Sequence, residues 1–296
     1  MQEKFIEWNP RHESLSRVEE AIEIIDEYQA QGLRLTLRQL YYQFVARDLI
    51  PNTPRSYKNL GGLIGKARMA GLIDWEAIED RGREPDTPQQ FEGLGELVDT
   101  ALRAYRLDRW AGQDDYCELW VEKAALAGVL LPIARRYHVT LMVNKGYSSL
   151  SAMYESAQRI MFASEAGARP TTVFYLGDFD PSGEDMVRDI QDRLDTFTRG
   201  EVDINVDKIA LTWDQIRKHR PPPNPAKLTD SRAAAYIRKH GRESWEVDAL
   251  DPKTLQHIIE TSILSVLDVP KMDAVKAQED ADRIRLRTAL SAIEEE

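Results

Sequence analysis

The chain has a single cysteine, Cys117, among its 296 residues. One cysteine excludes an internal disulfide and a cysteine-rich zinc site, and it is typical of proteins of the reducing cytoplasm. No apolar run approaches the roughly 18 residues that a membrane-spanning helix needs. The first residues, MQEKFIEWNPRHE, lack the apolar segment of a secretory signal. We therefore expect a cytoplasmic protein without membrane attachment.

A nucleotide-binding phosphate loop is also missing. The stretch GGLIGKA, at 61–67, resembles such a loop, but three residues instead of four separate Gly61 from Gly65. Ala67 also stands where the loop needs serine or threonine after its lysine. We expect no ATP site in this chain.

Acidic residues outnumber basic ones over the whole chain, but one segment is locally basic. The formal net charge is −11, whereas residues 31–70 hold seven Lys and Arg against one Asp. A local basic patch of this kind suits the phosphates of DNA and is consistent with a nucleoid-associated protein. The residues of the patch that we expect to contact DNA are Arg34, Arg47, Arg55, Lys58, Lys66 and Arg68.

The first half of the chain reads as a run of short helices. An amphipathic pattern predicts a helix over 14–31 that Gly32 ends. Thr36, with Gln39 three residues on, predicts a capping box and a second helix to about Arg47.

Ser56 is expected to cap a third helix that ends at Gly71, followed by a short hairpin-like tail to Arg83. Three helices and such a tail predict a winged-helix domain over 1–83. The third helix would be the one that enters the major groove.

The second half alternates between apolar strands and helices. An acidic linker and a helix at about 95–109 form the segment 84–114, and 115–296 then reads as an α/β domain with a parallel sheet and a C-terminal helical extension. The predicted strands are CELWV (117–121), VTLMV (139–143) and TVFYL (172–176), with helices at 123–137 and 149–163 between them.

Three acidic residues follow the ends of two predicted strands. Glu122 comes directly after CELWV, and Asp178 and Asp180 come after TVFYL with Gly177 between. The carboxyl ends of parallel strands face one crevice, so adjacent strands would bring these side chains together. Carboxylate oxygens suit Mg²⁺. We expect one or two Mg²⁺ ions here, with Mn²⁺ as a substitute, and Glu122 as a catalytic as well as a metal-binding residue.

Other interpretations of these acids exist. Acids at strand ends often only cap the next helix. The run from Asp178 to Asp189 approximates a calcium loop, but a strand precedes it and Pro181 interrupts it. A phosphatase with Asp178 as nucleophile shares the Asp-x-Asp pattern, but it gives Glu122 and the basic patch no role.

Arg38 and Tyr42 form a second candidate pair. Tyr42 falls off the centre of the apolar stripe of its helix, and Arg38, four residues back, lies beside it. A neighbouring cation favours the phenolate and hence nucleophilic attack. The alternative is an amphipathic surface tyrosine, and Tyr41 is expected in the core.

These motifs together resemble the A subunit of topoisomerase VI and its meiotic double-strand-break relatives. The motifs are RQLYY (38–42), WVEKAAL (120–126), VNKGYSS (143–149), GDFDPSGEDM (177–186) and SWEVDAL (244–250). The resemblance implies a winged-helix domain joined to a Toprim domain, as in the shorter stand-alone members.

The resemblance implies a role for each matched residue. Tyr42 matches the nucleophile that attacks DNA, and Arg38 matches its supporting residue. The three acids match the metal ligands, and Lys145 lies in the turn beside the site. It also implies a homodimer in which each tyrosine faces the partner's metal site, and a separate ATPase subunit for strand passage.

Three functions follow as hypotheses. The first is a topoisomerase-like transesterase that cuts double-stranded DNA through a tyrosyl–DNA bond at Tyr42. The second is a metal-dependent hydrolytic nuclease without a covalent intermediate. The third is a non-catalytic DNA-binding protein, which leaves the clustered acids unexplained because carboxylates repel phosphate unless a cation intervenes.

Overall fold

A computed structural model describes residues 3–79, 88, 90–144, 148–164, 169–226, 230 and 232–294. Within these ranges no helix is both long and apolar enough to cross a membrane. The helices are α1 His12–Gln29, α2 Leu37–Ala46, α3 Pro54–Met69, α4 Leu94–Ala104, α5 Ala127–Tyr137, α6 Leu150–Ala163, α7 Pro181–Thr198, α8 Trp213–His219, α9 Ala233–His240, α10 Pro252–Leu264 and α11 Val269–Glu294. The strands are β1 Leu35–Thr36, β2 Ile78–Glu79, β3 Tyr116–Val121, β4 Thr140–Val143, β5 Thr171–Leu176, β6 Ile204–Ala210, β7 Asn224–Pro225 and β8 Glu243–Ser244.

The first three helices pack around their own apolar cluster, which includes Ile24, Leu40, Phe44 and Ile64. The capping box predicted at Thr36 is present: its hydroxyl accepts from the Gln39 N–H, and the Gln39 side chain accepts from the Thr36 N–H. These bonds satisfy donors at the helix start that would otherwise lack partners.

Two local predictions for this half are wrong. Helix α3 begins at Pro54, and its cap is Thr53, whose hydroxyl accepts from the Ser56 N–H at 3.1 Å. Proline at the first helical position already has the required φ, which favours the earlier start. Residues 72–79, the described part of the predicted tail, contain no antiparallel pair of their own, and β2 instead pairs with β1 in parallel. Residues 80–83 of that prediction lie outside the described residues.

The second half is built on a four-stranded parallel sheet in the order β4-β3-β5-β6. The three predicted strands are confirmed with shifts of one residue at their starts. Strand β6 was not predicted. It lies at the sheet edge and alternates buried residues with exposed ones such as Asn205 and Asp207, so it lacks the apolar run of a strand buried on both faces.

The order of the strands creates a crevice between β3 and β5. The chain leaves β3 towards β4 on one side, and it leaves β5 towards β6 on the other. Right-handed crossovers then place α5 on one face and α6 and α7 on the opposite face. Two neighbouring strands whose connections diverge form the place where parallel sheets bind ligands.

The C-terminal helix α11 is tied to the segment between the two halves. The buried carboxylate of Glu279 accepts from two nitrogens of Arg109, at 2.7 and 3.0 Å, and from the Leu107 N–H at 3.1 Å. Arg283 donates to the carbonyl of Tyr105 at 2.6 Å. The preceding helix, α4, ends at Ala104 and not at about 109 as predicted, so residues 105–109 are free to make these contacts.

Candidate active site

Glu122 and Asp178 meet at the crevice between β3 and β5. The strands are in register, with Val121 opposite Leu176. The Glu122 N–H donates to the Leu176 carbonyl at 2.9 Å, and the Asp178 N–H donates to Glu122 Oε2 at 3.2 Å. The expectation that adjacent strand ends bring these two residues together is therefore met.

Asp180 turns towards the start of α7. Its Oδ1 accepts from the Gly183 N–H at 2.6 Å and from the Ser182 hydroxyl at 2.8 Å. The helix-cap interpretation thus applies to Asp180, which uses Oδ1 alone for the cap. Gly183 is required by close packing, because a Cβ there would overlap the carbonyl oxygen of Asp178.

All three acids affect the pKa of the Tyr175 phenol. Burial raises its pKa, and the negative charges of Glu122, Asp178 and Asp180 raise it further. Its hydroxyl is buried, with no hydrogen-bond partner of good geometry in the described part of the chain. The charges of all three carboxylates therefore act on this phenol, although the described residues contain no group of three His, Cys, Asp or Glu side chains already spaced to hold a metal ion.

Lys123 supplies the positive charge now nearest to these acids. Its ammonium lies 3.1 Å from Asp178 Oδ1, 2.6 Å from Glu246 Oε2 and 2.9 Å from Asp248 Oδ1. Burial alone would lower the pKa of Lys123, but the carboxylates of Asp248, Asp178 and Glu246 outweigh it and raise the pKa. The lysine is charged and joins two acidic segments.

Asp178 carries excess negative charge around it. Burial raises its pKa to about 7, Lys123 opposes the shift, and the carboxylate of Glu122 adds to it. The Val247 N–H also donates to Asp178 Oδ1 at 2.9 Å. One lysine and one backbone donor thus leave the charge of this cluster incompletely balanced.

Arg38 points to the same acidic segment from the N-terminal half. Its guanidinium lies 2.5 Å from Glu246 Oε2 and 3.5 Å from Asp248 Oδ2, and it donates to the Tyr42 hydroxyl at 3.4 Å. Arg38 is therefore held chiefly by carboxylates. The tyrosine is its weaker partner.

Tyr42 is 3% exposed and belongs to the apolar cluster of the first three helices, as does Tyr41 at 5%. The expectation that only Tyr41 lies in the core is wrong, because residues 244–250 of the second half cover this side of α2. Burial raises the pKa of the Tyr42 phenol, Asp248 and Glu246 raise it further, and Arg38 lowers it only in part. The net shift disfavours the phenolate, opposite to the expected direction.

A cavity of about 460 Å³ joins these groups within one chain. The N-terminal half contributes Arg38, Tyr41, Tyr42 and Tyr57 to its wall, and the second half contributes Asp178, Asp180, Trp245 and Glu246. The resemblance described above implies that the tyrosine faces the metal site of a partner protomer. Here a single chain supplies both the tyrosine and two of the acids.

Lys123, Glu246 and Asp248 received no predicted role. The segment SWEVDAL was noted as a motif, but nothing in its spacing predicts that it would lie between β5 and α2. Its position depends on the antiparallel bridge between Phe179 and Trp245, whose N–H groups donate to each other's carbonyls at 2.8 and 3.0 Å. The signal available in the sequence was an acidic pair next to a tryptophan.

The basic patch divides into two groups. Arg34, Arg55, Lys58 and Lys66 are exposed, and no carboxylate of the described residues lies within ion-pair distance of them. Two other residues have partners within the chain: Arg47 forms an exposed ion pair with Glu27 at 2.6 Å, and Arg68 stacks on Trp75 with 4.6 Å to the ring centre. Lys145 lies outside the described residues.

The acids suit a hard divalent cation. Glu122, Asp178 and Asp180 present only carboxylate oxygens, and each uses one oxygen for the protein bonds given above. Mg²⁺ is commonly held by one or two carboxylates together with water and substrate phosphate, so Glu122 and Asp178 are a sufficient pair. A cation here would also relieve the repulsion that raises the pKa of Asp178.

The chain matches no protein-family model and no curated protein.

Proposed function

We propose that this protein is a magnesium-dependent enzyme that cleaves DNA strands, with Tyr42 as the nucleophile. The observation that carries the proposal is the shared cavity, in which Tyr42 faces Asp178 and Asp180 within one chain. In this proposal the N-terminal half acts as a winged-helix domain and the second half as a Toprim-type domain. The exposed basic residues of α3 lead the DNA backbone to the cavity.

Each residue has a defined task. A Mg²⁺ ion held by Glu122 and Asp178, with Asp180 in support, would bind phosphate oxygens and stabilise the charge that develops during cleavage. The Tyr42 oxygen attacks phosphorus, the bond from phosphorus to the sugar oxygen of the adjoining nucleotide breaks, and the phenol proton ends on that released oxygen. Glu246, which lines the same cavity and interacts with the phenol, relays the proton. Arg38 orients the phenol and, once freed from Glu246, stabilises the phenolate.

The first prediction concerns Tyr42. Supercoiled plasmid, Mg²⁺ and protein are mixed and the reaction is stopped with denaturant, which traps a tyrosyl–DNA bond. The wild type should give cleaved DNA covalently attached to protein, and Tyr42→Phe should give none, because the phenyl ring has no attacking oxygen. EDTA should abolish both cleavage and adducts.

Tyr41→Phe is the matched control. Tyr41 lines the same cavity and donates to Asn52 at 2.9 Å, so its loss disturbs packing equally without removing the proposed nucleophile. Its adducts should persist. Cleavage that survives in Tyr42→Phe without adducts would refute the covalent mechanism.

Hydrolysis by a metal-directed water is the second candidate. The raised pKa of Tyr42 favours it, because a buried neutral phenol is a poor nucleophile. In that case Tyr42 only positions DNA. A protein that binds DNA in EDTA, and that does not cleave it whichever divalent ion is added, would instead be a binding module.

Partners are part of the proposal. Double-stranded DNA is the expected substrate, and the resemblance adds a homodimer and a separate ATPase subunit. Sedimentation of the wild type with and without DNA measures whether the protein forms the homodimer.

A further inference from the structure

A second basic segment of the chain lies in the second half and is connected to the acids. Residues 213–242 hold eight Lys and Arg against two Asp and no Glu, in a chain whose net charge is −11. Among the described residues no carboxylate lies within 4.0 Å of Lys218, Arg220, Arg238, Lys239 or Arg242. All five are exposed. Free cations at this density attract a polyanion.

An aromatic cluster connects this surface to the acids. We use that name for Phe179, Trp213, Tyr236, His240 and Trp245, whose ring centres lie 4.8 to 6.1 Å from their neighbours. Phe179 stands between Asp178 and Asp180 in the chain, and Trp245 lines the cavity that holds both acids. The cluster is therefore continuous with the candidate active site.

Trp213 is the exposed member of the cluster. Its side chain is 40% exposed, whereas Phe179 is 3% and Trp245 is 6% exposed. Its ring lies 5.8 Å from that of Phe179, 5.7 Å from Trp245 and 5.9 Å from His240. The buried rings hold the indole in place while leaving part of it open to solvent. A rigid, partly open indole is a surface on which a nucleobase stacks.

The backbone places Trp213 at the same edge of the sheet as the acids. Leu211, just after β6, donates to the Gly177 carbonyl at 2.8 Å, and Gly177 immediately precedes Asp178. Helix α8 then starts at Trp213 with a capping box made by Thr212 and Gln215. The indole thus follows the carboxyl end of a strand next to the one that carries Asp178.

A second cavity on α8 continues the positive surface. It measures about 410 Å³, and its wall carries Lys218, His219, Lys253 and His257 against the single acid Asp214. Its position between α8 and the start of α10 extends the cationic path away from Trp213. Phosphates of one strand are the chemistry that such a lining accommodates.

We infer that this face binds a DNA strand with an unpaired base, which stacks on Trp213 while Lys218, Lys239 and their neighbours contact its phosphates. The inference rests on the proposed function only in taking DNA as the ligand. It assigns to the second half a role in holding the strand that is separated from its complement near the acids.

The test measures binding in EDTA, so that no cleavage occurs. Fluorescence anisotropy compares a blunt duplex with the same duplex ending in an unpaired fork. The wild type should prefer the fork. Trp213→Leu should lower affinity for the fork about 5- to 150-fold, the effect of losing one base–aromatic stack, and should leave the blunt duplex nearly unchanged. Trp213→Phe should keep most of the preference.

Two controls separate stacking from charge. Phe162→Ala removes another aromatic side chain, 89% exposed, that lies outside the basic segment, and it should change neither affinity. Lys218→Ala with Lys239→Ala should weaken fork binding more than binding of the blunt duplex, and it should reduce the salt dependence of fork binding by about 0.7 for each single-strand phosphate that is no longer neutralised. Circular dichroism confirms that each variant is folded.

Equal loss of fork and duplex binding in Trp213→Leu, or no loss of either, would overturn the inference. Fork binding that persists in a protein unable to cleave DNA would sink the proposed function and leave the inference intact. Cleavage by a protein with no preference for the fork would overturn the inference and leave the proposed function intact.

Discussion

At the scale of single residues, the site depends on a few close contacts at the end of β5. The carbonyl of Asp178 packs against Gly183 so closely that no side chain fits between them. Lys208 donates to the same carbonyl at 2.8 Å and to Glu184 at 2.7 Å. The backbone of Asp178 is thus held from two sides, which sets the position of its carboxylate relative to Glu122.

Replacing Gly183 with alanine tests this packing. The added methyl group must displace the Asp178 backbone, so we expect Gly183→Ala to lower the free energy of unfolding by roughly 1 to 3 kcal/mol, the usual cost of overpacking. If Mg²⁺ binds as proposed and raises the melting temperature of the wild type, Gly183→Ala should abolish that rise. Urea unfolding and thermal melts with and without Mg²⁺ measure both effects.

Gly62→Ala is the matched control for that change. Gly62 lies inside α3, and a Cβ there would meet no atom within 4 Å. Alanine should raise stability by about 0.5 to 1 kcal/mol, because it restricts the unfolded chain more than glycine does. A Gly183→Ala variant as stable as the wild type would show that the close packing is not required.

At the scale of elements, α3 and α2 have different tasks. Helix α2 turns Arg38 and Tyr42 towards the second half, while α3 exposes Arg55, Lys58 and Lys66. The two sets lie on neighbouring helices of one apolar cluster. A duplex lying on α3 would therefore be close to the cavity that Tyr42 lines.

Removal of charge from α3 should weaken DNA binding. We expect Lys58→Ala with Lys66→Ala to lower affinity for any duplex sequence and to reduce the slope of log affinity against log salt by about 0.9 for each phosphate that the protein ceases to neutralise. Titrations at several salt concentrations in EDTA measure the slope. Arg47→Ala is the control, because Arg47 is already paired with Glu27, and its effect should be small. Equal slopes in both variants would rule out α3 as the DNA-binding surface.

At the scale of the whole molecule, contacts between distant segments join the two halves. The Arg38–Glu246 pair spans 208 residues and the Tyr28–Asp251 hydrogen bond, at 2.6 Å, spans 223. Helix α11 adds the Glu279–Arg109 pair, which spans 170 residues and is buried, with side-chain exposures of 1% and 12%. The first two of these links set the relative position of Tyr42 and the acids, and the third fixes α11 to the segment between the halves.

The Glu279 pair gives stability a defined pH dependence. Hydrogen bonding from Arg109 lowers the pKa of Glu279 from 4.5 to about 2. The carboxylate therefore contributes stability that is complete above about pH 4.5 and is lost as the pH falls through about 2. We expect Glu279→Gln to lower the free energy of unfolding by roughly 3 kcal/mol at neutral pH, because Arg109 is left unpaired, and by less as the pH falls through that range.

Urea unfolding between pH 2 and pH 7 measures the difference in the free energy of unfolding between the wild type and Glu279→Gln. Asp273→Asn, on the same helix, removes the exposed pair with Lys276 and should cost no more than about 0.5 kcal/mol. A Glu279→Gln variant that loses no more stability than Asp273→Asn would refute the role of the buried pair.

Much of the site's frame was predictable because it depends on neighbours in sequence. The apolar runs of β3 and β5 and the acids that follow them needed only the rule that parallel strands end at one edge. The capping box at Thr36 is likewise local. Strand β6 was missed because an edge strand with polar alternation resembles a loop, and the α3 cap was misplaced because Thr53 and Ser56 are both good caps.

By itself the amino-acid sequence determined the parallel α/β core, the meeting of Glu122 with Asp178, and the basic helix α3, since each follows from periodicity or spacing within a short segment. Only the tertiary structure decided that Arg38, Lys123 and Tyr42 would converge on Glu246 and Asp248, and that Tyr42 would be buried with a raised pKa. The reason is physical: burial and the field of distant charges depend on which segments pack together, and no local pattern along the chain encodes that packing.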